Sequence, residues 1–159
     1  MVDLGRIVEM RQRKLADHER AERQALAHLG DARAKLQDAR AAMKAYAAEV
    51  ATIERDMLSN LIGKDVSLDD IRMIEETLRE VEERAKALSN AHESAKKRVA
   101  EAEQNAARRR LAREHIQAKL NKISEIDTVL TKERRAAARA AEDAEMDGFV
   151  DMIAGRGRG

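Results

Sequence analysis

Apolar residues recur at alternating steps of three and four along the first sixty residues, starting at Leu4. Thirteen of the seventeen positions on this repeat are apolar, and the spacing never slips. A repeat of 3.5 residues keeps one stripe of an α-helix facing a partner helix, with left-handed supercoiling. The pattern predicts one long helix of a coiled coil. Its seam is Leu4, Val8, Arg11, Leu15, His18, Glu22, Ala25, Leu29, Ala32, Leu36, Ala39, Met43, Tyr46, Val50, Ile53, Met57 and Asn60.

Residues 62–67 interrupt the repeat and carry the signals that end one helix and begin another. Gly63 can adopt the left-handed conformation that terminates a helix. Ser67 and Asp70 have the spacing of a capping box at the start of the next helix, and Val66 is placed to act as a hydrophobic staple. The chain is therefore expected to reverse direction at this point.

A second and longer repeat begins after Ser67 and weakens near Asp127 and Arg134. We predict an all-α fold, a long two-helix antiparallel coiled-coil hairpin in a single domain. It has a helix over residues 4–61, a turn over 62–67, a second, longer helix over 68–146 and a flexible tail over 147–159. The second seam is Ile71, Ile74, Leu78, Val81, Ala85, Leu88, His92, Ala95, Val99, Ala102, Ala106, Arg109, Arg113, Ile116, Leu120, Ile123 and Leu130.

Reversal at Gly63 predicts which residues of the two helices meet. We expect Ala25 near Glu103 and place the polar seam residues of both helices in one zone. Glu22 and Arg109 can then approach each other as opposite charges. Such a polar layer costs stability while fixing register and orientation.

The composition excludes several classes of protein. Of 159 residues 38% are charged, and there is no Pro, Cys or Trp, so large core side chains are scarce and disulfides are absent. Because 31 Lys and Arg balance 30 Asp and Glu, net charge does not favour a nucleic-acid or membrane partner. Without a signal-peptide core near Met1 or a membrane-length apolar run, we expect a cytoplasmic protein that does not insert into a membrane.

No catalytic arrangement is evident in the sequence. The four histidines, His18, His28, His92 and His115, lack the i,i+3 or i,i+4 pairing that would hold a metal between helical turns. Acidic residues are spread over helices, where a solvated, salt-bridged face is the ordinary arrangement. We therefore expect no enzyme activity, no cofactor and no metal.

Charge is segregated along the chain although it cancels overall. Residues 65–83 hold eight acids against two bases, whereas residues 108–139 hold ten bases against four acids. One interpretation is an ordinary solvated surface; the other is a rod with an acidic tip and basic paired ends that dock different partners. The apolar residues around the turn likewise either staple it or form a small docking patch: Leu58, Ile62, Val66, Leu68 and Met73.

Three stretches resemble one known family. Residues 4–15 (LGRIVEMRQRKL) form a basic opening, residues 132–135 (KERR) form a second basic stretch, and residues 142–147 (EDAEMD) follow it. With the long hairpin and the absence of Pro and Cys, these features resemble the central stalk proteins of type III secretion systems. This is the YscO or SctO group, to which the flagellar FliJ is related.

The resemblance implies a cytoplasmic protein, peripheral to a membrane-embedded secretion apparatus for virulence or symbiosis, whose paired termini enter the hexameric secretion ATPase. The rest of the hairpin links that ring to the export gate protein, and some members also bind secretion chaperones. The residues implied at the ATPase are Ile7, Met10, Arg13, Lys14, Arg134, Arg135 and Arg139. Those implied at the gate or tip are Tyr46, Leu58, Ile62 and Met73.

The leading hypothesis is thus a non-enzymatic stalk and adaptor of a type III secretion ATPase complex. One alternative is a structural coiled-coil scaffold or chaperone-like adaptor. Another is a nucleic-acid-binding helical hairpin that uses the arginines between Arg108 and Arg113. Strongly salt-dependent binding to DNA or RNA would distinguish that last class.

Overall fold

Two long α-helices account for nearly all of the structure. The computed structural model describes residues 3–156, apart from the Arg156 side chain. Helix α1 spans Leu4–Leu61 and helix α2 spans Leu68–Arg156, lengths of 58 and 89 residues. They pack against each other, and no strand occurs within residues 3–156. The predicted all-α, two-helix antiparallel coiled coil with a longer second helix is confirmed.

The helix-ending glycine and the capping box form at the turn as predicted, and Val66, the predicted staple residue, is 47% exposed. Gly63 has a φ of 77° and the Lys64 amide donates to the Leu61 carbonyl at 3.4 Å, so the chain leaves α1 through a left-handed glycine. The Asp70 amide donates to Ser67 Oγ at 3.2 Å, and the Ser67 amide donates to Asp70 Oδ2 at 3.0 Å. This reciprocal pair is a capping box, and it begins α2.

An additional cap, which the sequence analysis missed, begins α1. The Gly5 amide donates to Asp3 Oδ1 at 3.0 Å, and the Ile7 amide donates to the Asp3 carbonyl at 3.3 Å. Asp is among the residues preferred at this position because its carboxylate satisfies an amide that has no partner within the helix. The N-terminal boundary at Leu4 thus has a local chemical cause.

Two glycine-to-alanine substitutions should change stability in opposite directions. Gly63→Ala forces a Cβ into the left-handed region and should lower the free energy of unfolding by about 1–2 kcal/mol. Gly30 lies inside α1 with nothing within 4 Å of an added Cβ, so Gly30→Ala should raise it by up to about 1 kcal/mol. Urea unfolding followed by circular dichroism measures both. Equal effects of the same sign would contradict the assignment of the turn.

The contacts group the described residues into two units. The hairpin unit, Ala21–Arg110, has a small core of Ala25, Leu29 and Ala106, against which Val99 and Ala102 pack. Its α1 seam positions are buried or half-buried except for Asn60, which is exposed. Most residues in this core are alanine, so the helices share a thin seam rather than a thick interior.

The register within the hairpin unit differs from the prediction for Glu103. Arg33 Nη2 lies 3.5 Å from Glu103 Oε1, and Ala25 packs in the cluster with Ala106. We expected Ala25 near Glu103; the cluster joins Ala25 to Ala106, about one helical turn further along α2, and Ala102, the residue before Glu103, packs against it. Both side chains of the ion pair are more than half exposed, so it orients the surface more than it stabilises the fold.

Four predicted seam positions of α2 are exposed: Ile71, Leu78, Ala85 and Arg109. Thr77 is half-buried where Leu78 was expected, and Asn105 and Ala112 flank the exposed Arg109. A straight α-helix has 3.6 residues per turn, so a strict 3.5-residue stripe drifts by about 20° in each heptad. The buried face of α2 therefore moves to neighbouring positions at Leu78 and Arg109, whereas residues 68–73 and 82–87, around Ile71 and Ala85, are all exposed.

The terminal unit comprises residues 3–20 and 111–156. Ile116 and Leu120 are its buried residues, and the α1 side contributes the half-buried Leu4, Val8 and Leu15. Leu130 and Thr131 are the last half-buried positions of α2, and every residue from 132 to 155 is exposed. Within the described residues, α2 thus continues for more than twenty residues without burying a side chain.

The predicted C-terminal boundary is wrong. Helix α2 reaches Arg156 instead of ending at Met146, and of the predicted flexible tail residues 147–156 are helical. Gly148 and Gly155 each cost about 1 kcal/mol relative to alanine, which weakens a helix without breaking it. Neither has positive φ, unlike Gly63. The last part of the predicted tail, residues 157–159, lies outside the described residues.

Candidate partner-binding surfaces

The basic segment, residues 132–139, lies where α2 has no side chain buried against the rest of the described chain. Arg134, Arg135 and Arg139 are all exposed, as is Lys132. Guanidinium groups on an exposed helix can each form bidentate hydrogen bonds with a carboxylate of a partner. The segment therefore offers three free-standing guanidinium groups to an acidic surface.

The predicted residues of α1 belong to the same terminal unit as the basic segment. Met10 is 69% exposed, and Arg13 and Lys14 are also exposed. Ile7 is half-buried, next to the half-buried seam residue Val8. Met10, Arg13 and Lys14 are therefore available to a partner, while Ile7 is only partly accessible.

The last turns of α2 carry an apolar face that the sequence analysis missed. Met146, Phe149, Val150 and Ile153 follow i, i+3, i+4, i+7 spacing, and each is more than half exposed. The spacing is visible in the sequence, but it was missed because residues 147–159 were predicted to be a flexible tail. Five acidic residues and no basic ones accompany it over residues 140–155: Glu142, Asp143, Glu145, Asp147 and Asp151.

The tip, defined as residues 54–83, combines exposed apolar side chains with negative charge. Leu58, Ile62, Leu68 and Met73 are 60%, 76%, 65% and 68% exposed. The segment has ten acidic and four basic side chains. Within the part of the chain that the structure describes, Asp70 is the only one of the ten acids with a hydrogen-bond or ion-pair partner. The acids are Glu54, Asp56, Asp65, Asp69, Asp70, Glu75, Glu76, Glu80, Glu82 and Glu83.

Tyr46 does not belong to the tip. It is half-buried on the α1 seam and lies fifteen residues before Leu61, roughly 22 Å along the helix. The sequence analysis grouped it with Leu58, Ile62 and Met73, which the structure places at the turn. A partner held at the turn would not reach Tyr46 without extending along α1.

The capping box lowers the pKa of Asp70. The hydrogen bond from the Ser67 amide is the larger cause and the interaction with the Ser67 side chain the smaller, both favouring the carboxylate. Because its pKa is lower in the folded state, Asp70 increases the free energy of unfolding at pH values above its unfolded-state pKa. This contribution is lost as the pH falls through the folded-state pKa.

Ser67→Ala removes the smaller cause and keeps the backbone amide, so it should raise the pKa of Asp70 part of the way toward its ordinary value of 3.8 and reduce stability at neutral pH. Titration of the Asp70 carboxyl by NMR, with thermal unfolding at pH 7, measures the two effects. Ser59→Ala, a change at an exposed serine near the end of α1, is the control. An Asp70 titration curve that Ser67→Ala leaves unchanged would contradict the assignment.

The described residues contain no group of three His, Cys, Asp or Glu side chains placed to hold a metal ion. His92, a predicted seam residue, is half-buried, and its Nδ1 lies 3.8 Å from Oε1 of the adjacent Glu93.

Across residues 3–156, neither helix is both long enough and apolar enough to cross a membrane.

Comparison with known proteins yields no relative. No protein-family model matches the chain, and no curated protein or solved structure does so either. The class defined by the fold is a two-helix, coiled-coil-like hairpin with a longer second helix. The membership of the secretion-stalk family that the sequence suggests stays a prediction.

Proposed function

We propose that this protein is a non-enzymatic stalk and adaptor of a type III secretion ATPase complex. The terminal unit binds the hexameric ATPase, and the tip faces the export gate protein. The protein acts by contacts alone, promoting assembly of the ring and coupling ATP turnover to export. It works in the cytoplasm, peripheral to the secretion apparatus.

The observation that carries the proposal is the exposed part of α2. From residue 132 to residue 155 every side chain of the helix is exposed. This part of the helix nevertheless carries the three arginines of the basic segment and, further along, an apolar face of four large residues. A helix without tertiary packing is only marginally stable in water. A partner that surrounds this segment would supply the missing packing, as the interior of a ring of subunits can.

The chemistry of the basic segment supports a protein surface with carboxylates as the partner. Opposite charges steer association and fix orientation, whereas the exposed apolar residues supply buried area once the helix is enclosed. Met10 on α1 adds a flexible apolar side chain to the same unit, and methionine adapts well to irregular surfaces.

The proposal is tested with a purified type III secretion ATPase from the organism that encodes this chain. Addition of the protein should increase ATP hydrolysis and shift the ATPase toward its hexamer in sedimentation. Failure of both binding and stimulation would contradict the proposal. It would then favour the alternative of a structural scaffold, whose partner grips the seam.

A further inference from the structure

We propose that the tip is a docking site for a basic protein segment that presents one large apolar side chain. The apolar side chain enters a cavity at the turn, and the surrounding carboxylates bind the flanking cations. This inference deepens the part of the proposed function that concerns the tip, and it requires nothing of the ATPase contact.

The cavity lies between the end of α1 and the first turns of α2. Its volume is about 370 Å³, and its apolar wall is formed by Met57, Leu61, Val66, Met73 and Ile74. Binding pockets typically measure about 300–1,000 Å³ and combine an apolar lining with a few polar groups. This one has room for one large side chain, and its charged lining is Asp65, Asp70 and one base, Lys64.

Exposed apolar residues extend the cavity into a patch. Ile62 and Leu68 lie on either side of Gly63 and are exposed. Neither belongs to the seam of its helix, so the coiled coil does not require an apolar residue at either position. Clustered exposure of large apolar side chains on a soluble surface marks an interaction site more often than it serves the fold. Met57 and Met73 can adjust to the shape of an incoming side chain.

Charge selects the class of partner. The tip has six more acidic than basic side chains, and its carboxylates other than Asp70 make no ion pair or hydrogen bond within the described residues. An anionic membrane surface or an acidic peptide would be repelled, whereas Lys and Arg would find uncompensated carboxylates. The acidic residues 140–155 of a second copy are excluded for the same reason.

The turn is held in place before any partner arrives. The left-handed Gly63, the hydrogen bond from Lys64 to Leu61 and the capping box fix the backbone around the cavity. A preformed site loses little conformational entropy on binding, so modest contacts suffice for measurable affinity.

The probe is a synthetic peptide of about fourteen residues, four helical turns, with lysines around a single tryptophan. The chain has no tryptophan, so all tryptophan emission comes from the probe. We expect saturable binding with a blue shift of the emission, and binding that weakens as salt increases. Replacing the tryptophan by alanine in a labelled probe should weaken binding about tenfold or more. Replacing the lysines by glutamate should abolish it.

Two methionines of equal exposure make a matched pair of variants. Met73→Gln removes part of the cavity wall at a side chain that is 68% exposed, and should weaken peptide binding several-fold. Met10→Gln alters a side chain that is 69% exposed in the terminal unit, and should leave peptide binding unchanged. Circular dichroism checks that both variants fold.

Three results would overturn the inference: equal binding of the tryptophan and alanine peptides, equal effects of the two methionine variants, or preferential binding to vesicles of anionic lipid. Concentration-dependent self-association that Met73→Gln removes would also overturn it, because the occupant would then be a second copy. Failure of ATPase stimulation with intact peptide binding would contradict the proposed ATPase contact and leave the tip inference standing.

Discussion

Leu29→Ala should lower the free energy of unfolding by about 2–4 kcal/mol, the largest loss of stability among single truncations in the hairpin unit. Leu29 is 7% exposed and is the only large side chain in the cluster with Ala25 and Ala106. Because the other buried residues of the cluster are alanines, they cannot fill the space that the leucine leaves. Urea unfolding at constant pH, followed by circular dichroism, measures the change.

Leu26→Ala is the matched control for this experiment. Leu26 lies three residues earlier on α1 but is 52% exposed, so its truncation should change stability by no more than about 0.5 kcal/mol. The comparison holds side-chain type and helix constant and varies burial alone. Similar losses in both variants would show that the cluster does not stabilise the hairpin unit.

Reversal of charge in the basic segment should have the largest effect on function. Arg134→Glu with Arg135→Glu should weaken association with the secretion ATPase about tenfold or more and reduce its stimulation accordingly. The physical reason is repulsion from the carboxylates that the proposed contact requires, in a segment where every side chain is exposed. The effect should shrink as salt increases.

Lys97→Glu with Arg98→Glu provides the control for that double variant. These two residues are also adjacent, basic and exposed on α2, but they belong to the hairpin unit. The change in net charge is identical, so a nonspecific effect of charge would appear equally in both. If the two double variants bind the ATPase equally, the basic segment is not the contact surface.

The sequence predicts the helices well because their signals are local or strictly periodic. Gly63, Ser67 and Asp70 each act on the backbone within a few residues, so the turn and both helix boundaries beside it could be predicted from residue type. The apolar stripe of α1 predicts its buried face for the same reason. Fold class needs little more than these two kinds of signal.

Register and the C-terminal end of α2 depend on small energy differences that a pattern does not contain. Ala25 packs in a cluster with Ala106, about one helical turn beyond the predicted neighbour Glu103, and alanines give little preference between neighbouring registers. Likewise, glycine is a residue type that often ends a helix, but Gly148 does not adopt the left-handed conformation. Residue type alone cannot distinguish a glycine that terminates a helix from one that is tolerated in it.

Exposure is what the structure adds to the predicted partner contacts. Arg134, Arg135 and Met10 are exposed, and their contact with a partner stays a prediction. The cavity at the tip needed coordinates, because its wall joins Met57 and Ile74 from two helices across the turn. Both residues lie on the predicted seams, where the sequence analysis assigned them to the coiled coil only.

Site-specific photocrosslinking to the secretion ATPase tests directly whether the basic segment is the contact surface for the ATPase. A photoreactive amino acid is placed at Arg139, in the basic segment, or at Lys97, in the hairpin unit, and the protein is irradiated with the assembled hexamer. We expect a crosslink to the ATPase from position 139 and none from position 97. Crosslinks from position 97 alone, or from neither position while the proteins remain associated, would contradict this expectation.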